Sequence, residues 1–197
     1  MRISLVQPNF RQGGKTFSGY WLPHSIACVY TYVEDKNPDY FDLNRIIFRR
    51  EAIVSASKSM RQDDMVLFSC YMWNWQYNLE LSKLLKTINP NVKIIFGGPQ
   101  VSEFRLEEQQ EEFHWVDSWI VSEGELSFEK LINDLRDTGS IKRTYEAQRL
   151  MDLDIPSPYT NGFFDSIIKD NPDIKWSTTL ETNRGCPFKC SFCDWGS

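Results

Sequence analysis

Long apolar runs are missing from these 197 residues. No stretch approaches the roughly 18–20 residues needed to cross a bilayer, and the opening Ile3-Ser4-Leu5-Val6 is too short for a secretory leader. An excess of positive charge is missing too. Lys and Arg total 22 against 27 Asp and Glu, a net charge of −5, which opposes the phosphate neutralisation that general nucleic-acid binding rests on. Internal repeats and low-complexity tracts are absent. So is a disulfide framework: of the five cysteines, Cys28 and Cys70 stand alone, while three crowd the stretch 186–193, a spacing suited to metal ligation. These absences predict a soluble, cytoplasmic protein with neither nucleic acid nor membrane as partner. What is present is an ordinary globular balance of 41% hydrophobic and 25% charged residues. Seven Trp within an aromatic share of 14% promise a well-filled core or a site for a flat ligand.

Residues 1–138 alternate between strand-like and helix-like stretches. Ile3–Val6, closed by Gln7-Pro8, reads as a buried opening strand. Ile26, Val29, Tyr30 and Val33 share one helical face. Leu43–Phe48 is weakly strand-like, and a helix is expected over about 51–60. Met65–Cys70 is a continuous apolar run of the kind found in central parallel strands. Leu81, Leu84, Leu85 and Ile88 mark a helix stopped by Asn89-Pro90, and Val92–Phe96 is a buried strand running into Gly97-Gly98-Pro99. Ser102 is placed to cap an acidic helix, Trp119–Val121 is a fifth strand, and Ser122-Glu123-Gly124-Glu125 has the form of a capping box. Phe128, Leu131, Ile132 and Leu135 supply the buried face of the helix that follows. Five strands alternating with helices predict an α/β fold, a doubly wound parallel sheet of Rossmann or flavodoxin type. Residues 139–175, with Pro156, Pro158 and Pro172, read as a connector, and Trp176–Thr182 as a new strand opening the segment 176–197.

Behind that strand, Cys186, Cys190 and Cys193 are spaced C-x3-C-x2-C with Phe192 just before the third. Such a loop can wrap three thiolates around one corner of a cubane 4Fe–4S cluster and leave the fourth iron open. Zinc is the competing reading, but it needs a further ligand, drawn from His24, His114, Cys28 or Cys70, or a water; inert thiols are a third. The spacing, the aromatic and the preceding strand resemble the radical S-adenosylmethionine superfamily. That resemblance implies that the three cysteines each ligate one iron, that S-adenosylmethionine chelates the fourth, and that its reductive cleavage by an external electron donor gives a 5′-deoxyadenosyl radical. The protein's part is then to align cluster, sulfonium and substrate.

In open parallel sheets ligands bind beyond the carboxyl ends of the strands. Those ends read Gln7-Pro8-Asn9, Ser69-Cys70-Tyr71 and Gly97-Gly98-Pro99. Paired glycines let a ligand lie against bare backbone, although Gly97-Gly98 equally suits a plain tight turn. A Ser near the end of one central strand, with Gly-Gly at the end of the next 28 residues on, resembles the S-x-L…G-G pattern of cobalamin-binding domains, with Tyr71 where Leu is usual. The resemblance implies that Ser69, Tyr71, Gly97, Gly98 and Pro99 flank the cofactor's nucleotide tail. Ser122-Glu123-Gly124-Glu125 resembles the Gly-Glu-Gly-Glu turn of the same domains, which adds Glu123 and Gly124. His24 lacks the Asp and Gly of the D-x-H-x-x-G motif that supplies a lower cobalt ligand, since Leu22 and Ala27 stand there; a helix-start His in a polar crevice is the expectation. Tyr71-Met72-Trp73-Asn74-Trp75 reads as a lid or helix start, or as a surface against the corrin.

A cobalamin-type sheet ahead of a radical S-adenosylmethionine cysteine loop resembles the cobalamin-dependent radical SAM enzymes. This implies three cofactors: a 4Fe–4S cluster, S-adenosylmethionine and cobalamin. It also implies methyl transfer to an unactivated carbon of a small-molecule or peptide substrate. A whole radical SAM barrel needs on the order of 200 residues, so the sequence holds only its first strand and loop and reads as the N-terminal part of such an enzyme. Two alternatives stay open: a non-catalytic module that binds cobalamin or another flat ligand, and a radical SAM protein whose sheet binds no corrin.

Overall fold

The apolar runs of the sequence become parallel strands covered on both faces. In the computed structural model, which describes residues 1–10, 19–146, 150–151, 155–181, 184, 188, 190 and 191, the first part of the chain runs β1 (Arg2–Asn9), β2 (Gly19–Trp21), α1 (His24–Lys36), β3 (Asp42–Arg49), α2 (Ile53–Ser59), β4 (Met65–Ser69) and α3 (Trp75–Ile88). It continues through β5 (Lys93–Gly97), a 3₁₀ turn at Glu103–Arg105, α4 (Leu106–Glu112), β6 (Ser118–Val121), α5 (Gly124–Thr138), β7 (Thr144–Glu146), α6 (Asp165–Asp170) and β8 (Lys175–Ser177).

Among the described residues, six strands form one sheet in the order β3-β1-β4-β5-β6-β7, every neighbouring pair parallel. Leaving aside β2, the order is that of flavodoxin-like doubly wound sheets with one strand added, and the switch point falls between β1 and β4. A second, two-stranded sheet pairs β2 with β8 in parallel. The period of two sends alternate residues to opposite faces. Val66, Phe68, Ile94, Phe96, Trp119 and Val121 pack under α2, α3 and α4. Met65, Leu67, Ile95 and Ile120 pack under α1 and α5 with Ile26, Tyr30, Phe128 and Leu131. A small satellite core of Leu22, Ala27, Phe48, Phe164 and Ile167 seats α6 and the small sheet.

Local signals explain most element ends. Helix α3 stops at Asn89 before Pro90. Helix α5 stops at Gly139, whose left-handed φ of 71° lets its N–H reach the Leu135 carbonyl at 3.0 Å. Helix α1 has Pro23 at its cap position and no side-chain cap of its own. Instead Gln7 Oε1 accepts the Ile26 N–H at 3.0 Å, so the end of β1 serves as the missing cap.

Several expectations are corrected. The sheet has a sixth strand, β7, in a segment read as connector; three residues carry no periodicity, and burial of Tyr145 on the α1/α5 side fixes it there. The connector also holds α6. Strand β1 continues through Pro8 to Asn9, tolerated because its pairing with β3 is irregular between Val6 and Asn9. The strand expected at Trp176–Thr182 is the shorter β8. Neither Ser102 nor Ser122 caps a helix: Glu123 holds the cap position of α5, no side chain bonds there, and the Glu125 carboxylate is engaged elsewhere.

Candidate cofactor site at the strand ends

A cavity of about 550 Å³ opens at the carboxyl ends of β4, β5 and β6, on the face covered by α1 and α5. Its floor is Leu67 and Ser69 of β4, Ile95 and Gly97 of β5, and Ile120 of β6. Helix α1 lends His24, Ser25 and Cys28, and the start of α5 lends Gly124 and Glu125. Tyr71, Gly98 and Pro99 stand at the rim, and Thr179, Leu180, Glu181 and Arg184 close the far side. Seven residues singled out in the sequence are thus accounted for: six line one cavity, and the seventh, Glu123, lies behind it, its carboxylate 3.4 Å from Arg184 and accepting the Leu150 N–H at 3.1 Å. The end of β1 takes no part. Asn9 donates to the Trp21 carbonyl at 3.1 Å, so Gln7 and Asn9 brace α1 and β2 rather than meet a ligand.

The two glycines of Gly97-Gly98 do different things. Gly98 has φ +95°, and a Cβ there would sit 2.9 Å from the backbone N and O of Cys70. It builds the turn, in which Cys70 donates to the Gly97 carbonyl and Val101 to that of Gly98. Gly97 has ordinary strand geometry, and its absent Cβ would lie 3.4 Å from Ile120 Cβ, over the cavity floor. Gly124 serves the wall: a Cβ would come within 2.6 Å of Val29 Cγ2, so only glycine lets α5 start this close to α1. Ser122, standing where the Gly-Glu-Gly-Glu turn has its first Gly, has φ +64°. The left-handed backbone explains why glycine suits that position.

The polar groups concentrate on the side away from the apolar floor. The Tyr71 hydroxyl and Ser25 Oγ lie 2.7 Å apart across the rim, and the Tyr71 ring stacks on Trp73 at 4.4 Å. The His24 ring stacks on Tyr159 at 5.1 Å, and its Nε2 lies 3.4 Å from Cys28 Sγ. Burial lowers the His24 pKa, so the ring favours the neutral form, and burial together with the Glu125 charge raises the Cys28 thiol to about 12. Arg184 Nη2 donates to Glu125 Oε1 at 2.6 Å, Nη1 lies 3.4 Å from Glu123, and Nε lies 3.2 Å from Glu181. Burial alone would lower the Arg184 pKa; the hydrogen bond and charge of Glu125, then of Glu181, outweigh it and raise it. The sequence names Cys28 as a far zinc donor and Glu125 as part of a capping box, and it points to neither of them, nor to Arg184, as part of this cavity. Cys28 shares a helical face with His24, and Arg184 stands directly before Gly185-Cys186, the signals that could have found two of them.

Of the cysteine loop, Cys190 is described and exposed, whereas Cys186, Phe192 and Cys193 lie outside the described residues. No group of three His, Cys, Asp or Glu able to hold a metal occurs among the described residues. The far donors weighed for zinc are scattered: His24 and Cys28 line the cavity, Cys70 is buried beside Asn78, and His114 is exposed against Trp115. For a flat heteroaromatic group the cavity does fit. Its floor is apolar, and the bare backbone of Gly97 leaves open the space that any side chain would take.

A flavodoxin-like sheet with a glycine-floored cavity under α1 and α5 defines the class. The sequence pattern of the B12 binding domain family matches residues 13–132, and the chain belongs to that family. Among characterised proteins it is similar to the cobalamin-dependent radical SAM methyltransferase TokK of Streptomyces tokunonensis, with 32% identity over 197 aligned positions covering 90% of this chain and 29% of that protein. It is also similar to the 2-(S-pantetheinyl)-carbapenam-3-carboxylate methyltransferase of Streptantibioticus cattleyicolor, with 29% identity covering 90% of this chain and 29% of that protein. An anaerobic magnesium-protoporphyrin IX monomethyl ester cyclase of Cereibacter sphaeroides matches 98% of this chain at 26% identity, over 34% of its own length. The chain therefore spans about a third of the length of these relatives.

Proposed function

We propose that this chain holds cobalamin with its nucleotide tail in the cavity over Gly97, and that it forms the N-terminal part of a cobalamin-dependent radical SAM methyltransferase. The observation that carries the reading is the cavity floor. Ser69 and Gly97 end β4 and β5, Ile120 is the last but one residue of β6, and the missing side chain of Gly97 leaves the floor between them bare. Ser69, Gly124 and the rim residues Tyr71 and Pro99 would bound the tail, and the apolar floor would exclude water from its ring face. Without a D-x-H-x-x-G motif, and with His24 stacked on Tyr159 inside the cavity, the histidine is a wall residue rather than a cobalt ligand. Cys186, Cys190 and Cys193 would hold the 4Fe–4S cluster, with Phe192 beside it, and S-adenosylmethionine at the open iron. When bound, these groups supply radical chemistry and cobalamin the methyl group. An external electron donor, a reducing cytoplasmic setting and a small-molecule or peptide substrate follow from the same reading. Methyl transfer, rather than another radical reaction, is supported by the names of two of the relatives.

The test is anaerobic binding of hydroxocobalamin, with protein-bound corrin read by its visible absorption after gel filtration. Wild-type protein should retain one equivalent. Gly97→Val and Ser69→Leu should stay folded and lose at least about tenfold in affinity, the cost of ~1.4 kcal/mol in lost fit. Undiminished retention by both folded variants would remove the tail from this cavity. In parallel, reconstitution with iron and sulfide should load the wild type and not the variant with Cys186, Cys190 and Cys193 changed to Ser.

A further inference from the structure

One wall of the cavity does not belong to the six-stranded sheet or its helices. Thr179, Leu180, Glu181 and Arg184 come from the strand end that leads to the cysteine loop, and Arg184 precedes Cys186 by two residues. Among the described residues, strand β8 pairs with β2. The Tyr159 hydroxyl donates to the Thr179 carbonyl at 2.7 Å and accepts the Thr179 N–H at 3.1 Å, while its ring stacks on His24. The strongest tie is Arg184 itself, whose side chain is 10% exposed and meets Glu125, itself 5% exposed, at 2.6 Å. Glu123 and Glu181 complete the set, so three carboxylates from two parts of the chain converge on one guanidinium. A planar fork of donors suits such multidentate clamping, which a lysine could not reproduce.

We propose that Arg184 is a positioning residue that couples the cavity to the cysteine loop: clamped by Glu123, Glu125 and Glu181, it places both the cavity's outer wall and the root of the loop, so that cobalamin in the cavity and a cluster on the loop favour each other. This rests on the cobalamin and cluster readings above, and failure of the wild type to load a cluster on reconstitution overturns the cluster reading and the coupling together. The physical basis is linkage. A ligand that fills the cavity gains contact with Leu180 and Glu181 when they are in place, and a cluster on the cysteines that follow Arg184 favours the arrangement in which Arg184 lies against α5. Two ligands that prefer the same arrangement of one segment bind more tightly together than apart, and by the same factor whichever binds first.

The experiment measures hydroxocobalamin affinity by anaerobic equilibrium dialysis of the intact protein, with and without its reconstituted cluster, for wild type, Arg184→Gln, Arg184→Lys and Glu181→Gln. In the wild type the cluster should tighten cobalamin binding by about tenfold. In Arg184→Gln that ratio should fall to near one with far-UV circular dichroism retained, whatever the loss of affinity in the cluster-free form; a residue that merely shaped the cavity wall or stabilised the fold would lower both affinities and leave the ratio unchanged. Glu181→Gln, which removes one charge of the three and keeps the guanidinium, should give an intermediate ratio and serve as the measure if the Arg184→Gln variant fails to fold, whereas Arg184→Lys, which keeps the charge and loses the fork, should follow Arg184→Gln. A wild-type ratio of one, or the wild-type ratio persisting in the folded variants, overturns the coupling while leaving cobalamin binding intact. Failure of the wild type to bind cobalamin at all overturns the cavity reading and this proposal with it.

Discussion

On the face covered by α2, α3 and α4, the side chains in register across the three central strands are Phe68, Phe96 and Trp119, with ring centroids 5.1 Å apart between Phe68 and Phe96 and 5.5 Å between Phe96 and Trp119. One residue further along each strand, on the α1/α5 face, they are Ser69, Gly97 and Ile120. The same backbones thus present a filled face and a hollow one, and only side-chain volume differs. Trp75 and Phe113 complete the filled side, so at these strand ends the aromatic rings stand opposite the cavity floor. The filled face sets the sheet's rigidity, and the hollow face uses it, because a cavity stays open only if its floor cannot collapse.

Equivalent truncations on the two faces should break the molecule unequally. Trp119 is fully buried, and Trp119→Ala should cost about 3–5 kcal/mol, read by chemical denaturation. The neighbouring Ile120→Ala removes atoms that already border open space, so it should fall at the low end of the aliphatic range, about 2 kcal/mol. Equal losses would mean that the cavity side is as tightly coupled to the fold as the packed side. A smaller effect of opposite sign is expected at the cavity's edge. Ser122 holds a left-handed backbone at φ +64°, and Ser122→Gly should stabilise the protein by roughly 0.5–1 kcal/mol, the relieved strain less the added chain entropy.

The smallest effect is set by pH. The His24 pKa is lowered by burial from its ordinary 6.5, so the folded protein binds this proton less readily than the unfolded chain. Stability associated with His24 is therefore whole above about 6.5 and is lost as pH falls through that value toward the lowered one. Thermal unfolding followed from pH 8 to 5 should show this loss in the wild type and a shallower one in His24→Gln; identical profiles would place the ring outside the closed cavity.

The contrast between the faces was partly legible in the sequence. Continuous apolar runs at Met65–Cys70 and Val92–Phe96 announced central strands, and Gly97-Gly98 marked the site, because burial on both sides and bare backbone leave compositional traces. What the residues could not show was that Gly98 makes the turn and Gly97 the opening, since that division depends on which glycine meets Cys70 and which meets Ile120. The misread capping box has the same root. Glu125 has the spacing to cap its own helix, but Arg184, 59 residues on, takes its carboxylate. Strands β2 and β7 escaped notice because three residues carry no period, and their pairing is decided by partners far along the chain.

The pairing of β2 with β8 also bears on how the chain folds. Tyr20 lies opposite Trp176, so two three-residue strands must find each other across the whole intervening domain. Loop-closure entropy rises with separation, and so few ladder bonds return little of it until the satellite core of Phe48, Phe164 and Ile167 is in place. This closure belongs to the late events of folding, after the sheet exists to bring its ends together. The small sheet is thus completed by residues that follow the six-stranded sheet in sequence, and the strand that leads to the cysteines takes its position on a sheet already built.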